Sequence, residues 1–457
     1  MSARTGRRAG ILLPMTALPA GRGAGAFGKS AYDFVDFLVA AGQSLWQILP
    51  VGPVGKSLSP YQSGSAFAGN PDFIDRAAVC RDPERYAPKG AVFAKFIREN
   101  AAWLEGYALF EAVRRTRRGL PLSGWPDEIR NPPLRARAAL LESCSGEILR
   151  IRHEQFCFFR QWRELKRYAN LKGVGIIGDL PIYVCEDSAD FWLRRSAFDV
   201  AEDGRPASSA GVPPDGFSKS GQIWNNPVYV WNKSGGQACS FWRERLTQAA
   251  RLYDGVRIDH FRAFADYYAF PAGGGKGAWR PGPGKPFTDR IRREFPGLSI
   301  IAEDLGELSE AAKQLVADSG FPGMKVLQFA FSGGADNPHL PHNIQKNAVV
   351  YTGTHDNNTL LGWRRAAPRR ELSFAMKYFG LRTGEDLPAA LLAAALASNA
   401  DTAIIPLQDW LGLGASARLN KPATVGGRNW KWRLPEGALT RSLAARIRYQ
   451  TQELYGR

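Results

Sequence analysis

The sequence predicts an α/β protein built as a (β/α)8 TIM barrel, with an inserted helical subdomain and long loops at one mouth. Three observations carry that prediction. Eight short apolar runs recur along the chain, helix-like stretches separate several of them, and most runs end in polar, Gly or Pro residues. The runs are residues 10–14, 45–51, 174–184, 256–261, 299–305, 324–331, 348–354 and 402–407. Each is apolar on both faces, as a strand buried in a parallel sheet must be. Helical patterns at 31–41 and 241–251 alternate with them, which indicates parallel strands joined by crossover helices. Eight such strands in 457 residues fit one barrel with insertions.

Two gaps are too long for a single crossover helix. Residues 71–170 read as mostly helical, with amphipathic runs at 93–98, 107–114 and 148–165. They are expected as a subdomain inserted after the second strand, leaving 1–70 and 171–457 as the catalytic barrel. Residues 185–240 are rich in Gly, Pro, Ser, Asn and Trp and read as a long, irregular active-site loop. A smaller loop at 271–286 holds Gly273-Gly274-Gly275 and several prolines.

Composition narrows the class. Hydrophobic residues make up 44% and charged residues 23%, an ordinary globular balance. The 60 Lys and Arg against 43 Asp and Glu leave a net charge of +17. The basic residues are scattered in short groups such as Arg114-Arg115, without a charged tail or nucleic-acid motif, so no specific nucleic-acid partner is expected. The five cysteines (Cys80, Cys144, Cys157, Cys185 and Cys239) are widely spaced and form no CxxC pair. That excludes a disulfide framework and a zinc motif, and predicts reduced, buried thiols. The apolar run at 11–13 is stopped by Pro14, too short for a signal-peptide core, and no run of 18 apolar residues exists. A cytoplasmic protein with no membrane partner is the default expectation. Oligomeric state is not legible.

The chemistry lies at the strand ends. In Gly255-Val-Arg-Ile-Asp259-His-Phe261, alternation puts Arg257 and Asp259 on one face, with Ile258 and His260 on the other. A guanidinium beside a carboxylate favours the ionised form that a nucleophile needs, although the pattern also fits a plain structural ion pair. In Ile300-Ile-Ala-Glu303-Asp304, the two acids point to opposite faces, so one of them faces the mouth. A carboxyl among apolar walls has a raised pKa and can act as a general acid. Tyr351-Thr-Gly-Thr-His355-Asp356-Asn357 adds a third carboxylate beside a histidine. Acids ending strands four, five and seven converge at the C-terminal face of a barrel. Two carboxylates flanking a sugar bond can cut it with retention, while a third stabilises charge and holds hydroxyls.

At these residues the chain resembles the amylomaltase, or 4-α-glucanotransferase (disproportionating enzyme), family of the α-amylase clan. The matching stretches include Ser59-Pro-Tyr-Gln-Ser63, Ser65-Ala-Phe-Ala-Gly-Asn-Pro71, Gly178-Asp-Leu-Pro-Ile-Tyr-Val184 and Pro213-Pro-Asp215. They continue through Gly221-Gln-Ile-Trp224, Asn226-Pro-Val-Tyr229-Val-Trp231, Gly255 to Phe261, Ala302-Glu-Asp-Leu-Gly306 and Gly353-Thr-His-Asp356-Asn357. The last are Pro406-Leu-Gln-Asp409, Arg418-Leu-Asn420 and Asn429-Trp-Lys-Trp432-Arg433. The resemblance runs almost end to end, in order. It implies that Asp259 is the nucleophile, Glu303 the general acid/base and Asp356 the transition-state stabiliser. It implies substrate-binding roles for Tyr61, Asp179, Asp215, Trp224, Arg257, His355 and Asn420. Three positions depart from the pattern. Gly216 stands where many members carry Tyr, Asn358 where Asp is usual, and Leu58 where an acidic residue often precedes Ser-Pro-Tyr. With Gly216, an aromatic contact from the lid is expected to be absent.

The reading is therefore a retaining 4-α-glucanotransferase acting on α-1,4-glucans and maltooligosaccharides, with no metal or organic cofactor. The alternatives are an α-amylase-type hydrolase on the same barrel chemistry, and a carbohydrate-binding protein that kept the fold and lost activity.

Overall fold

A computed structural model of the chain describes residues 6–19, 27–131, 134–214, 221–231 and 236–457. Eight parallel strands close into a barrel: β1 (Arg8–Leu12), β2 (Leu45–Gln47), β3 (Gly175–Leu180), β4 (Gly255–Ile258), β5 (Ser299–Ala302), β6 (Gly323–Val326), β7 (Ala348–Tyr351) and β8 (Thr402–Pro406). Each pairs with its neighbours in sequence, and β8 returns to β1. All eight expected strands are present, shortened mostly at their C-terminal ends, where the chain turns into the site.

Alternation splits the core in two. Inside the barrel pack Leu12, Leu45, Ile177, Ile301, Met324, Val326, Val349, Tyr351 and Ile404. Their neighbours Ile11, Trp46, Ile176, Val256, Ile258, Val350 and Ile405 point outward into the much larger core under the helices. Both faces of each strand are thus dehydrated, which is why the strands read as unbroken apolar runs. Near the C-terminal end the inner face turns polar: buried Gln47 accepts a 2.8 Å hydrogen bond from the Tyr351 hydroxyl.

The segment after β2 is helical, as expected. Its long members are Gly90–Thr116 and Ser145–Leu171, which pack on each other. Ser145–Leu171 also packs against β3 and against the barrel helices Lys29–Ala40 and Gln237–Leu252. It fills the crossover position between β2 and β3. The helical segment expected at 71–170 is thus joined to the barrel along this helix.

The expectation of an irregular loop at 185–240 is corrected. Strands Ser208–Val212 and Gln222–Pro227 lie there, and Ser208–Val212 pairs antiparallel with Asp266–Pro271, which in turn pairs with Ala278–Pro281. The last strand also replaces part of the loop expected at 271–286, and helix Gly284–Glu294 begins within it. Two of the pairings are local hairpins, whereas Ser208–Val212 and Asp266–Pro271 are more than fifty residues apart in sequence; Ser208–Val212 and Gln222–Pro227 carry Gly, Ser, Asn and Pro, so no apolar alternation announced them. The cysteines also differ from expectation. Cys144 and Cys157 are buried, but Cys80 is exposed, Cys185 and Cys239 are half-buried, and none is bridged. No helix among the described residues is long and apolar enough to cross a membrane.

The loop after β2 is pinned to helix Ser145–Leu171 by close packing. A Cβ on Gly69 would stand 2.2 Å from the Phe158 ring. That ring is itself held edge-on by Phe27 and Phe159. Gly69→Ala is expected to destabilise the protein by about 1–3 kcal/mol, the usual penalty of overpacking. Thermal melting checks this, and an unchanged melting temperature would refute the close contact.

Candidate active site

Strand register assembles the site. Asp179 on β3 is paired with Arg257 on β4, and Ile258 with Ala302 on β5. One residue further on, the Asp259 amide still donates to Leu180 O and the Glu303 amide to Ile258 O, both at 3.1 Å. Asp179, Arg257, Asp259 and Glu303 therefore stand side by side at the top of the barrel, on its inner face.

Arg257 is the centre. Its side chain is 5% exposed. Nη1 donates to Asp179 Oδ2 at 2.7 Å, and Nη2 donates to Asp259 Oδ1 at 2.7 Å and lies 4.0 Å from Glu303 Oε2. Asp179 is fully buried and also accepts from the Tyr61 hydroxyl at 2.7 Å. Burial raises the Asp179 pKa above the ordinary value, against the lowering effect of Arg257. One cation thus faces three carboxylates.

The alternation left open which of Glu303 and Asp304 faces the mouth; it is Glu303. It follows the inward side chain of Ile301 by two residues. Asp304 points the other way, where it accepts from the Met324 amide at 2.6 Å and sits 3.4 Å from Lys325 Nζ. Glu303 accepts two backbone amides, His260 N on Oε2 at 2.6 Å and Leu305 N on Oε1 at 2.9 Å. Burial pushes its carboxyl up to about 7; Arg257 lowers it and Asp259 raises it. His260 itself is held in the left-handed region, at φ 48°. Burial pushes its imidazole down to about 4, so the ring is neutral at pH 7.

The opposite wall comes from the ends of β7 and β8. Asp356 Oδ1 accepts from Asn420 Nδ2 at 2.6 Å, Oδ2 lies 3.4 Å from His355 Nε2, and the main-chain oxygen accepts from Arg418 at 2.5 Å. His355 is buried and stacked on Tyr61, with ring centroids 5.2 Å apart. Trp430 closes this group, 6.0 Å from Tyr61 and 5.9 Å from His355. Tyr61 is carried by the loop after β2, which Asp190 clamps through the Ala66 amide at 2.6 Å. Exposure separates the acids: side chains are 27% exposed at Asp259 and 44% at Asp356, against 11% at Glu303 and none at Asp179. Asp259 and Asp356 reach into the open cleft, Glu303 lies at its edge, and Asp179 is supporting structure.

Of the residues singled out from the sequence, Tyr61, Asp179, Arg257, Asp259, Glu303, His355, Asp356 and Asn420 form this connected group. Trp224 joins it from the antiparallel sheet, edge-on to His260 at 4.9 Å. Asp215 and Gly216 lie outside the described residues. Leu58 is exposed and left-handed at φ 59°, and the Asn358 side-chain oxygen accepts from the Thr359 amide at 3.0 Å. Sequence reasoning gave no role to Trp430 and Arg418, although both fall in quoted motifs. The basic and aromatic residues of the 418–433 stretch were the available signal. It also set His260 aside as outward-facing; its backbone contact left no trace in side-chain alternation.

A closed parallel barrel with acids at its strand ends and aromatic rings around its mouth fits a carbohydrate-active (β/α)8 enzyme. Residues 13–91 and 76–440 match the 4-alpha-glucanotransferase family, and the chain belongs to it. It is 41% identical to the 4-alpha-glucanotransferase of Thermus thermophilus, over 97% of each chain. It is 39% identical to that of Streptococcus pneumoniae, over 95% of this chain and 94% of the relative. The amylomaltase of Streptococcus agalactiae, solved in complex with acarbose, superposes with a TM-score of 0.92 at 34% identity, over 99% of each chain.

The electrostatics predict an unusual titration. The Glu303 carboxyl should titrate near pH 7, where an ordinary glutamate titrates near 4.5. Carboxyl-labelled NMR, with Glu303→Gln to assign the resonance, reads it directly. Because Arg257 favours the ionised form, Arg257→Met should move the midpoint upward. A midpoint at or below 5 in the unmodified protein would contradict the burial argument.

Proposed function

We propose that this protein is a retaining 4-α-glucanotransferase, in which Asp259 is the nucleophile and Glu303 the proton carrier. The observation that carries this reading is the shared Nη2 of Arg257, 2.7 Å from Asp259 and 4.0 Å from Glu303. It keeps the two carboxyl oxygens no further apart than the sum of those two distances. Retaining enzymes need a separation of roughly 5 Å, whereas inverting enzymes need a wider gap for an intervening water. The environments are also unequal. Asp259 is ion-paired and open to the cleft, whereas Glu303 is dehydrated and carries its proton up to neutral pH.

The chemistry follows in two balanced steps. An Asp259 oxygen attacks C1 of a glucosyl unit while the Glu303 proton passes to the glycosidic oxygen. The C1–O4 bond breaks, and the glucan beyond it leaves with a free 4-hydroxyl. The acceptor's 4-hydroxyl then attacks C1, Glu303 takes its proton, and the bond to Asp259 breaks. Asp356, oriented by Asn420, offers negative charge to the developing oxocarbenium and accepts from sugar hydroxyls. Tyr61, Trp224 and Trp430 supply aromatic faces for the apolar side of the sugar rings. Donor and acceptor are α-1,4-glucans and maltooligosaccharides, in keeping with the relatives.

Two experiments decide. With maltotriose, the products should be glucose together with maltodextrins longer than the substrate; hydrolysis products alone would favour the amylase-type alternative. Asp259→Asn and Glu303→Gln should each lower kcat by roughly a thousandfold or more while the protein stays folded. An active Asp259→Asn enzyme would remove the nucleophile assignment.

A further inference from the structure

We infer that His260 is a positioning residue for Glu303, acting through its backbone: a left-handed turn at His260 folds the chain back onto Glu303 and so holds the His260 amide on Glu303 Oε2. The inference rests on the acid/base reading above and adds to it the part that holds the acid in place.

Three observations support it. The left-handed conformation, φ 48° and ψ 50°, is uncommon for a residue with a side chain and persists where surrounding structure enforces it. Here the turn is stitched to Glu303 from both sides. The His260 amide donates to the Glu303 side chain at 2.6 Å, and the next amide, Phe261 N, donates to the Glu303 main-chain oxygen at 3.1 Å. Because the chain beyond is anchored through Phe261 N to Glu303 O, an extended residue at 260 is accommodated only by rotating the peptide between 259 and 260, which turns the His260 amide away from that oxygen.

The turn is also braced from outside. Trp224 packs edge-on against the imidazole, with 87° between the planes. The following segment, Phe261–Phe264, is a single tight turn whose Ala263 amide bonds His260 O at 3.0 Å. Arg262 then pairs with Asp266 at the start of the antiparallel sheet. The sheet that grows from the β3 and β4 loops therefore grips the turn on both flanks. The charged groups facing Glu303 are Arg257 and Asp259, and those facing His260 are Asp259, Arg262 and Asp266. A change of backbone conformation at 260 disturbs both amide contacts to Glu303, of which the His260 amide is the one that reaches its carboxyl.

The sign of the effect follows. An N–H donated to a carboxylate favours its ionised form, so losing it raises the carboxyl's pKa. As general acid Glu303 works protonated, so the alkaline limb of kcat/KM should move to higher pH, while kcat falls because the proton is no longer aimed. The test compares three variants by pH profile. His260→Asn and His260→Gly tolerate a left-handed backbone and keep the amide but lose the ring. His260→Val is β-branched and disfavours that conformation.

For His260→Val, kcat should fall about tenfold or more and the alkaline limb should rise by about half to one pH unit. For His260→Asn and His260→Gly the limb should stay where the unmodified enzyme has it. Should the valine variant not fold, His260→Thr carries the same comparison. A folded β-branched variant with an unshifted limb would overturn the inference. So would an Asn variant that shifts as far as valine, since that would place the effect in the ring. Glu303→Gln keeps the two readings apart. If it is inactive while the β-branched variant behaves normally, only the positioning role fails; if it remains active, the acid/base reading fails.

Discussion

One buried guanidinium holds this site together. Arg257 sits among Asp179, Asp259 and Glu303 with almost no access to solvent, and a charge so placed persists only when paired. Its partners are fixed by it in turn. Asp179 leans on Tyr61, which stacks on His355, which neighbours Asp356. From a single strand residue, polar and stacking contacts run around the mouth to the far wall. The barrel makes this possible because neighbouring parallel strands in register put successive side chains of one face at one height.

The same arrangement divides labour between acids that are chemically alike. Desolvation acts on Glu303 more strongly than Arg257 relieves it, so its proton is retained to neutral pH. Asp259 takes the direct ion pair and the open face. Asp179 is sealed beneath them. Three carboxylates within reach of one arginine thus differ by burial and hydrogen bonding, which suits them to the separate tasks of nucleophile, acid and strut.

Around this centre the loops after β2, β3, β4 and β8 build the cleft. The antiparallel sheet from the β3 and β4 loops places Trp224 against His260. The β8 segment places Arg418 and Asn420 on Asp356 and sets Trp430 beside Tyr61. These elements are secured by bonds at a distance: Asp190 holds the Ala66 amide, and the Asn226 side chain donates to Val184 O at 2.7 Å.

The amino-acid sequence by itself determined the barrel, the three acids at its strand ends and most of their neighbours. Buried parallel strands must be apolar on both faces, so β1 to β8 announce themselves, and each acid stands where its apolar run stops. Alternation alone placed Arg257 with Asp259. Only the tertiary structure decided the rest. Glu303 was separated from Asp304 by which side of β5 faces the barrel axis, a matter of closure rather than of local pattern. The antiparallel sheet joins two hairpins through one long-range pairing, and its strands Ser208–Val212 and Gln222–Pro227 lack the apolar alternation that would announce them. The ownership of helix Ser145–Leu171 depends on what it packs against. The contact of the His260 amide with Glu303 depends on a backbone angle that no side-chain pattern encodes, because it is imposed by the structure on either side of it.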